Sequence, residues 1–595
     1  MSSHRVPVFP SLVRLELVEA LEVLLSEIAQ MFFTSSAHHT TACATKQQDI
    51  ANKVAKLASV LNEPLTDEET RIRALPIPDL VEESRRKPSS SAEILQAFGK
   101  QALSAHAATN CLSDLMFDEA LAHAQQNLNK PLSGVPISLK DCVNIEGHDT
   151  TIGYSISANR PASFSAPIVC LLRDAGALLH VKTTVPAGLL SFETTSDLYG
   201  TTTNPYNPAY SPGASTGGGG ALLAYGGSKV EVATDIGGSV RYPAAFCGVY
   251  GLKGSFGRFP GTGIENSTPG FDALEVVASA MAGSLEDLRE FWERVVGMEP
   301  WRYDYDCVPI PWKKVDLSSE KCRPRFGVLW TDGIVTPSPA CTRALQISVE
   351  ALRKQGYEVV DFNPPSTLEI IKVGFSLMFA DGGKTLSAPA RPGETISSAI
   401  KTVVSVVGLP LLVKNVMASI LRLTSTRNEA WAQIIDILHI RTTSEERQLC
   451  VQRDKLRHAW LKAMKEEQNL DFILTVPHSL PNVPHGGSGV ASLVAASYGF
   501  LFNVLDVSTG VIPVAFVDKT LDALPPNFQS TSTYAKMNNV ERNVYSLYDA
   551  NKMHGLPLGI QIAAGRFEEE KALEGMRIVE EALKDTGREF VQKVF

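Results

Sequence analysis

From residue 131 onward, short runs of β-branched and apolar residues alternate with longer segments whose apolar positions recur at helical spacing. Candidate strands fall at 135–139, 177–182, 230–234, 325–329, 358–362, 472–476, 511–517 and 557–562. Helical patterns lie near 164–175, 216–225, 284–296, 338–355, 427–467, 489–503 and 567–584. Strands alternating with helices predict an α/β fold on a mostly parallel sheet. No 20–50-residue repeat interrupts the alternation.

The first hundred residues lack strand patterning. Residues 11–33 form a helix with a broad apolar face, interrupted by Arg14, Glu16, Glu19, Glu22 and Glu27, so it does not read as a membrane span. Its acidic balance disfavours an anionic lipid surface and suits docking on the core or on a second copy, as in a homodimer. A Ser/Thr/His/Ala linker is expected at 34–46 and a helix at 47–62. Thr66-x-x-Glu69 and Ser90-x-x-Glu93 are capping boxes that start two more helices. The expected division is a helical extension over 1–88 and a catalytic domain over 89–595.

Residues 399–424 are strongly apolar, broken by Gly408-Leu-Pro410, with Lys401, Lys414 and Arg422 as the only charges. The longest uncharged run is too short to cross a bilayer. Two short amphipathic helices with basic edges suit peripheral contact with a membrane or a roof over an apolar cavity; a buried hairpin is the competing reading.

Composition narrows the class. Apolar residues make up 44% and charged residues 20%, as in an ordinary globular protein, and the formal net charge of −9 argues against nucleic acid as a partner. Nine scattered cysteines, none in a CxxC, favour reduced thiols over disulfides or a zinc site. With no secretory pattern at the N-terminus, the expected location is cytoplasmic, or peripheral on intracellular membranes. No ligand cluster for a metal is apparent.

Candidate chemistry concentrates at 211–260, where glycines cluster at 217–220, 226–227 and 237–238 beside Ser215, Thr216 and Ser239. Gly213-Ala-Ser215-Thr-Gly217 matches G-x-S-x-G, but the Pro- and Asn-rich run before it cannot be the central strand a nucleophile elbow needs. The second cluster has better context. Asp235-Ile-Gly-Gly-Ser239 leaves the end of a candidate strand, so the N–H groups of Ile236, Gly237, Gly238 and Ser239 can form an anion-binding nest with Ser239 at its lip. A serine nucleophile needs a base. His148, His180, His478 and His485 are candidates without a context that ties them to Ser239. Lys140 is another, reached by an uncharged strand that would carry its ammonium into an apolar interior; a snorkelling strand-end lysine is the competing reading.

Together these segments resemble the amidase signature family. Gly134-Val-Pro-Ile-Ser-Leu-Lys140-Asp141 resembles its lysine strand, Gly213-Ala-Ser215-Thr-Gly-Gly218 its serine loop, and Thr234 through Lys253 its nucleophile segment. Asn503-x-x-Asp506, Gly510-Val-Ile-Pro513 and Gly555-Leu-Pro-Leu-Gly-Ile-Gln561 resemble its C-terminal strands. The resemblance implies a large, mixed, mostly parallel twisted sheet covered by helices on both faces, and no cofactor or metal. It implies a Ser–cisSer–Lys triad of Ser239 as nucleophile, Ser215 as bridge across a cis Ala214–Ser215 peptide, and Lys140 as base. The oxyanion hole maps to Ile236, Gly237, Gly238 and Ser239, with Thr216, Asp235 and Arg241 in support. A free lysine is neutral in only about 1 molecule in 2,500 at pH 7, so burial has to lower its pKa by about 3 units.

Several positions depart from the family pattern. Ala214 and Thr216 replace a glycine and a serine, Gly219 stands where Glu is usual, and Gly254 replaces a proline. Gly147-His-Asp-Thr-Thr-Ile-Gly153, Phe379-Ala-Asp-Gly-Gly383 and the 399–424 hairpin look most like the fatty acid amide hydrolases within the family. The expected activity is hydrolysis of small-molecule amides, with apolar or fatty acyl groups favoured. A glutamine-amidotransferase-type subunit and a silent lipid-binding member are the alternatives.

Overall fold

The computed structural model describes residues 11–61, 63–87, 89–124, 129–317, 323–491 and 493–595. The first ten residues of the expected extension, and Cys322, lie outside them. The main sheet has eleven strands: β1 (Leu112–Leu115), β2 (Pro136–Lys140), β3 (Leu178–Thr183), β4 (Val230–Asp235), β5 (Tyr250–Lys253), β6 (Val277–Ala282), β7 (Arg325–Val328), β8 (Glu358–Asp361), β9 (Phe472–Thr475), β10 (Thr509–Phe516) and β11 (Pro557–Ala563). Their order across the sheet is β1-β3-β2-β4-β6-β5-β10-β11-β9-β7-β8. Every residue of β2, β3, β4, β6 and β11 is buried. Successive strand residues point to opposite faces, so both faces of the sheet are covered.

All eight expected strands form. The sheet is mixed, but less parallel than expected: parallel pairing is confined to β3–β2–β4 and β9–β7–β8, and the pairs between and at the β1 edge are antiparallel. The difference comes largely from β1, β5 and β6, which the pattern does not reveal. Their sequences are LSDL, YGLK and VASAMA, nearly free of β-branched residues.

The expected linker at 34–46 is not a linker. Helix α1 runs unbroken over Ser11–Val60, with side chains described from Ser36. The stretch has no Gly or Pro. The Thr40 and Thr41 hydroxyls donate back to the carbonyls of Ser36 and Ala37 at 3.1 and 2.9 Å. Cys43 and Ile50 pack on Leu198 and Tyr199, and Lys46 pairs with Asp149 at 3.0 Å. Packing therefore outweighs weak helix propensity. The Thr66–Glu69 capping box forms as expected; the Ser90–Glu93 box does not, because Ser90 is already the first helical residue and Ser89 precedes it without a side-chain cap bond. The 427–467 pattern is broken instead, where a second capping box, Thr442–Glu445, starts a new helix at Thr443.

The 399–424 segment forms two helices, Ser398–Val407 and Leu411–Thr424, bent by 111° at the Gly408–Pro410 break. No single helix among the described residues is long and apolar enough to cross a membrane. The basic edges are fewer than the sequence suggests. Lys414 is buried and donates to the carbonyls of Val407 and Leu438 at 3.0 and 2.8 Å, closing the end of the preceding helix. Arg422 pairs with Glu429 and Asp436. The outer face stays apolar: Leu412 is 75% exposed and Leu423 86%, with Val416 and Ile420 between them at helical spacing.

Candidate active site

Strand β2 carries Lys140 to its C-terminal end, beside the equivalent end of β4. Lys140 is fully buried. Its Nζ lies 2.7 Å from Ser215 Oγ, 2.9 Å from Thr234 Oγ1 and 3.3 Å from the Thr234 carbonyl. Burial lowers its pKa from the ordinary lysine value, against the weaker pull of Cys142, Asp235 and Glu231. The snorkelling alternative therefore does not hold.

Ser215 sits in the serine loop at a cis Ala214–Ser215 peptide. The glycines after it open helix α2 (Gly217–Ala224), which lies so close to its neighbours that side chains have no room. A Cβ on Gly217 would meet Thr194 Oγ1 at 2.2 Å, and one on Gly218 the Thr184 nitrogen at 2.4 Å. Thr216 is buried; its N–H donates to the Ser239 carbonyl at 3.3 Å, joining the two loops, and its hydroxyl has no partner among the described residues.

Ser239 leaves the end of β4 through the loop that starts at Ile236 and is followed by helix α3 (Arg241–Cys247). It is 8% exposed, and its hydroxyl forms no hydrogen bond among the described residues, to Ser215 or to any other group. The expected nest is smaller than four donors. The Gly238 N–H is taken by Asp235 Oδ1 at 2.8 Å, which leaves the N–H groups of Ile236, Gly237 and Ser239 as the open donors among the described residues. Gly238 has φ of 115°, and a Cβ there would strike the Tyr242 ring at 2.3 Å.

Asp235 and Arg241 hold this loop from below. Both are fully buried and joined by two contacts, at 3.0 and 2.9 Å. Asp235 also accepts from the Val240 N–H at 3.1 Å and from Asn503 Nδ2 at 2.9 Å. Burial opposes its charge, but Arg241, Lys253 and Asn503 together hold the carboxyl well below the usual carboxylate range. Arg241 reaches on to Asn503 Oδ1 at 2.6 Å and Gln561 Oε1 at 3.2 Å. Thus the C-terminal strand β11 and the helix before β10 brace the loop that precedes them by more than two hundred residues.

The four histidines stand apart. His148 lies between Asp114 and Glu119 at 2.9 and 2.7 Å, and His180 between the carbonyls of Ile137 and Gly227. His478 is packed edge-on against Phe192, Tyr242 and Phe246, and burial lowers its pKa to about 4. His485 faces Glu193 at 3.7 Å. None touches Ser215 or Ser239. Sequence reasoning missed Thr234, the second partner of Lys140, and the bracing roles of Asn503 and Gln561. A residue one place before Asp235, at the end of the strand beside Lys140, is the signal that points to Thr234.

The amidase family model matches residues 93–573. The chain is 32% identical to the fatty-acid amide hydrolase 1 of Sus scrofa, over 91% of this chain and 92% of that one. It is also 32% identical to the acetamidase of Emericella nidulans, over 86% and 89% of the two chains. A solved fatty acid amide hydrolase superposes with a TM-score of 0.78 at 26% identity, covering 93% of this chain and 96% of that one. The protein belongs to the amidase signature family and is an amide hydrolase.

Proposed function

We propose that the chain hydrolyses apolar, fatty acyl amides to acid and amine, with Ser239 as nucleophile, Ser215 as proton relay and Lys140 as base. The observation that carries this reading is the 2.7 Å contact between a fully buried lysine amine and a serine hydroxyl. A neutral amine has two N–H donors and one lone pair. The two Thr234 oxygens accept the donors, and the lone pair takes the Ser215 proton. Burial favours that neutral form, so activity is lost as pH falls through the pKa of Lys140.

In the proposed cycle Ser239 Oγ attacks the amide carbonyl and its proton passes to Ser215, whose own proton passes to Lys140. The N–H groups of Ile236, Gly237 and Ser239 receive the oxyanion. The relay reverses to protonate the leaving amine, and water then hydrolyses the acyl-enzyme. In the proposed cycle the serine-to-serine link closes when substrate binds, since Ser239 Oγ has no hydrogen-bond partner among the described residues. Thr216, Asp235 and Arg241 support the two loops, within a catalytic domain over 89–595.

The relatives' names point to acetamide and to fatty amides at equal identity. The exposed apolar stripe from Leu412 to Leu423 favours the lipid-like substrate and peripheral membrane contact. Hydrolysis of acyl p-nitroanilides by the isolated chain tests this choice. The expected result is a kcat/KM rising at least about tenfold from acetyl to decanoyl; preference for acetyl overturns the acyl-chain assignment.

A further inference from the structure

One buried carboxyl beside the lysine is outside the reading above. Glu231 lies on β4 opposite Ser138 of β2, and Lys140 lies opposite Thr183 of β3. Ser138 and Lys140 are two residues apart, so all four side chains project from one face of the sheet. Strand β2 lies between β4 and β3. The Glu231 carboxyl crosses beneath it and accepts from Thr183 Oγ1 at 2.5 Å. It is fully buried, and its Oε2 has no partner among the described residues.

Helix α2 closes over it. A Cβ on Gly219 would lie 2.5 Å from Glu231 Cγ and Cδ and 2.6 Å from Oε1. The carboxyl comes from the strand, and the glycine on the helix leaves it room.

The charged groups around the pair are otherwise committed. Asp235 is bound to Arg241, and Lys182 to Asp141 at 3.2 Å. Cys142 and Cys111 are buried thiols whose pKa values burial raises, and α2 carries no ionisable residue. Among the described residues, Glu231 is the carboxyl facing Lys140 that no cation neutralises. Burial pushes it up to about 7, against the pull of the Ser138 and Thr183 hydroxyls and of Lys140.

We propose that Glu231 is a positioning residue for amide hydrolysis: its charge sets how tightly the Lys140 amine across β2 holds its proton, and the competent state is the neutral amine, whether or not Glu231 is protonated. The proposal rests on Lys140 being the base. An ionised Glu231 tightens the hold of Lys140 on its proton, whereas a protonated Glu231 loosens it and favours the amine that accepts from Ser215.

The test is the pH dependence of kcat/KM on an acyl p-nitroanilide for the full chain and for Glu231→Gln. The glutamine removes the negative charge, so the midpoint of the acid limb moves to lower pH, by about half a unit or more, while the plateau stays within a few-fold. A purely structural role changes stability or the plateau and leaves the midpoint where it was. An unmoved midpoint in folded Glu231→Gln overturns the proposal. If that variant does not fold, Thr183→Val removes the donor to the carboxylate, favours the protonated acid and moves the midpoint the same way; an unmoved midpoint there overturns it equally. Full amide hydrolysis by Lys140→Ala overturns the base assignment itself. An inactive Lys140→Ala with an unmoved Glu231→Gln midpoint overturns only the pairing.

Discussion

Lys140 Nζ and Ser215 Oγ meet at 2.7 Å although 75 residues separate them. Strand β2 delivers the lysine from one side, and the loop before α2 delivers the serine from the other. If Ser215 relays the proton, Ser215→Ala keeps the fold and loses about 10²- to 10⁴-fold in kcat for an anilide. The corresponding ester loses less, because its leaving group needs less help from a proton. Steady-state kinetics on a matched amide and ester pair checks this; equal losses on both count against the relay.

Gly219 and Glu231 compete for one space. Alanine is worth about 1 kcal/mol over glycine inside a helix. Gly219→Ala nonetheless destabilises the protein, by about 1–3 kcal/mol, because the new methyl meets the buried carboxyl. Combining it with Glu231→Ala makes room and recovers part of the loss. Urea unfolding of the two single variants and the double gives the coupling directly. A stabilised Gly219→Ala would show that the helix is not held against the strand.

Arg241 neutralises Asp235 beneath the loop that carries Ser239. Arg241→Met leaves a buried carboxylate without its cation, at a cost of about 3–5 kcal/mol. Unfolding midpoints measure this, and a loss below 1 kcal/mol argues that the pair is dispensable.

Leu412 and Leu423 lie on the exposed apolar face of the bent helical pair. Replacing both with Glu lowers co-sedimentation with phosphatidylcholine vesicles by about tenfold or more, while turnover of a short soluble amide is unchanged. Equal sedimentation of both proteins would remove this face as the membrane contact.

Much of this architecture is legible in the chain, and the failures have identifiable causes. Strands β2, β4 and β11 are visible because β-branched runs buried on both faces read as continuous apolar stretches. Strands β1 and β6 are not, since Ser113, Asp114 and the Ala/Ser alternation of 277–282 take strand form only from their neighbours. The helical course of 34–46 depends on contacts with Leu198 and Tyr199, far along the chain. At the site, the resemblance marks Lys140, Ser215 and Ser239. The engagement of the Gly238 N–H by Asp235 and the reach of Glu231 across β2 are three-dimensional facts with no local signature.

The most direct measurement is the rate and site of labelling by a fluorophosphonate, read by intact mass and peptide mapping, in the full chain and in Lys140→Ala. The expected result is a single adduct on Ser239 in the unmodified protein, formed more slowly by about 10²-fold or more when the lysine is removed. An adduct on Ser215 or elsewhere, or equal rates in the two proteins, would contradict it.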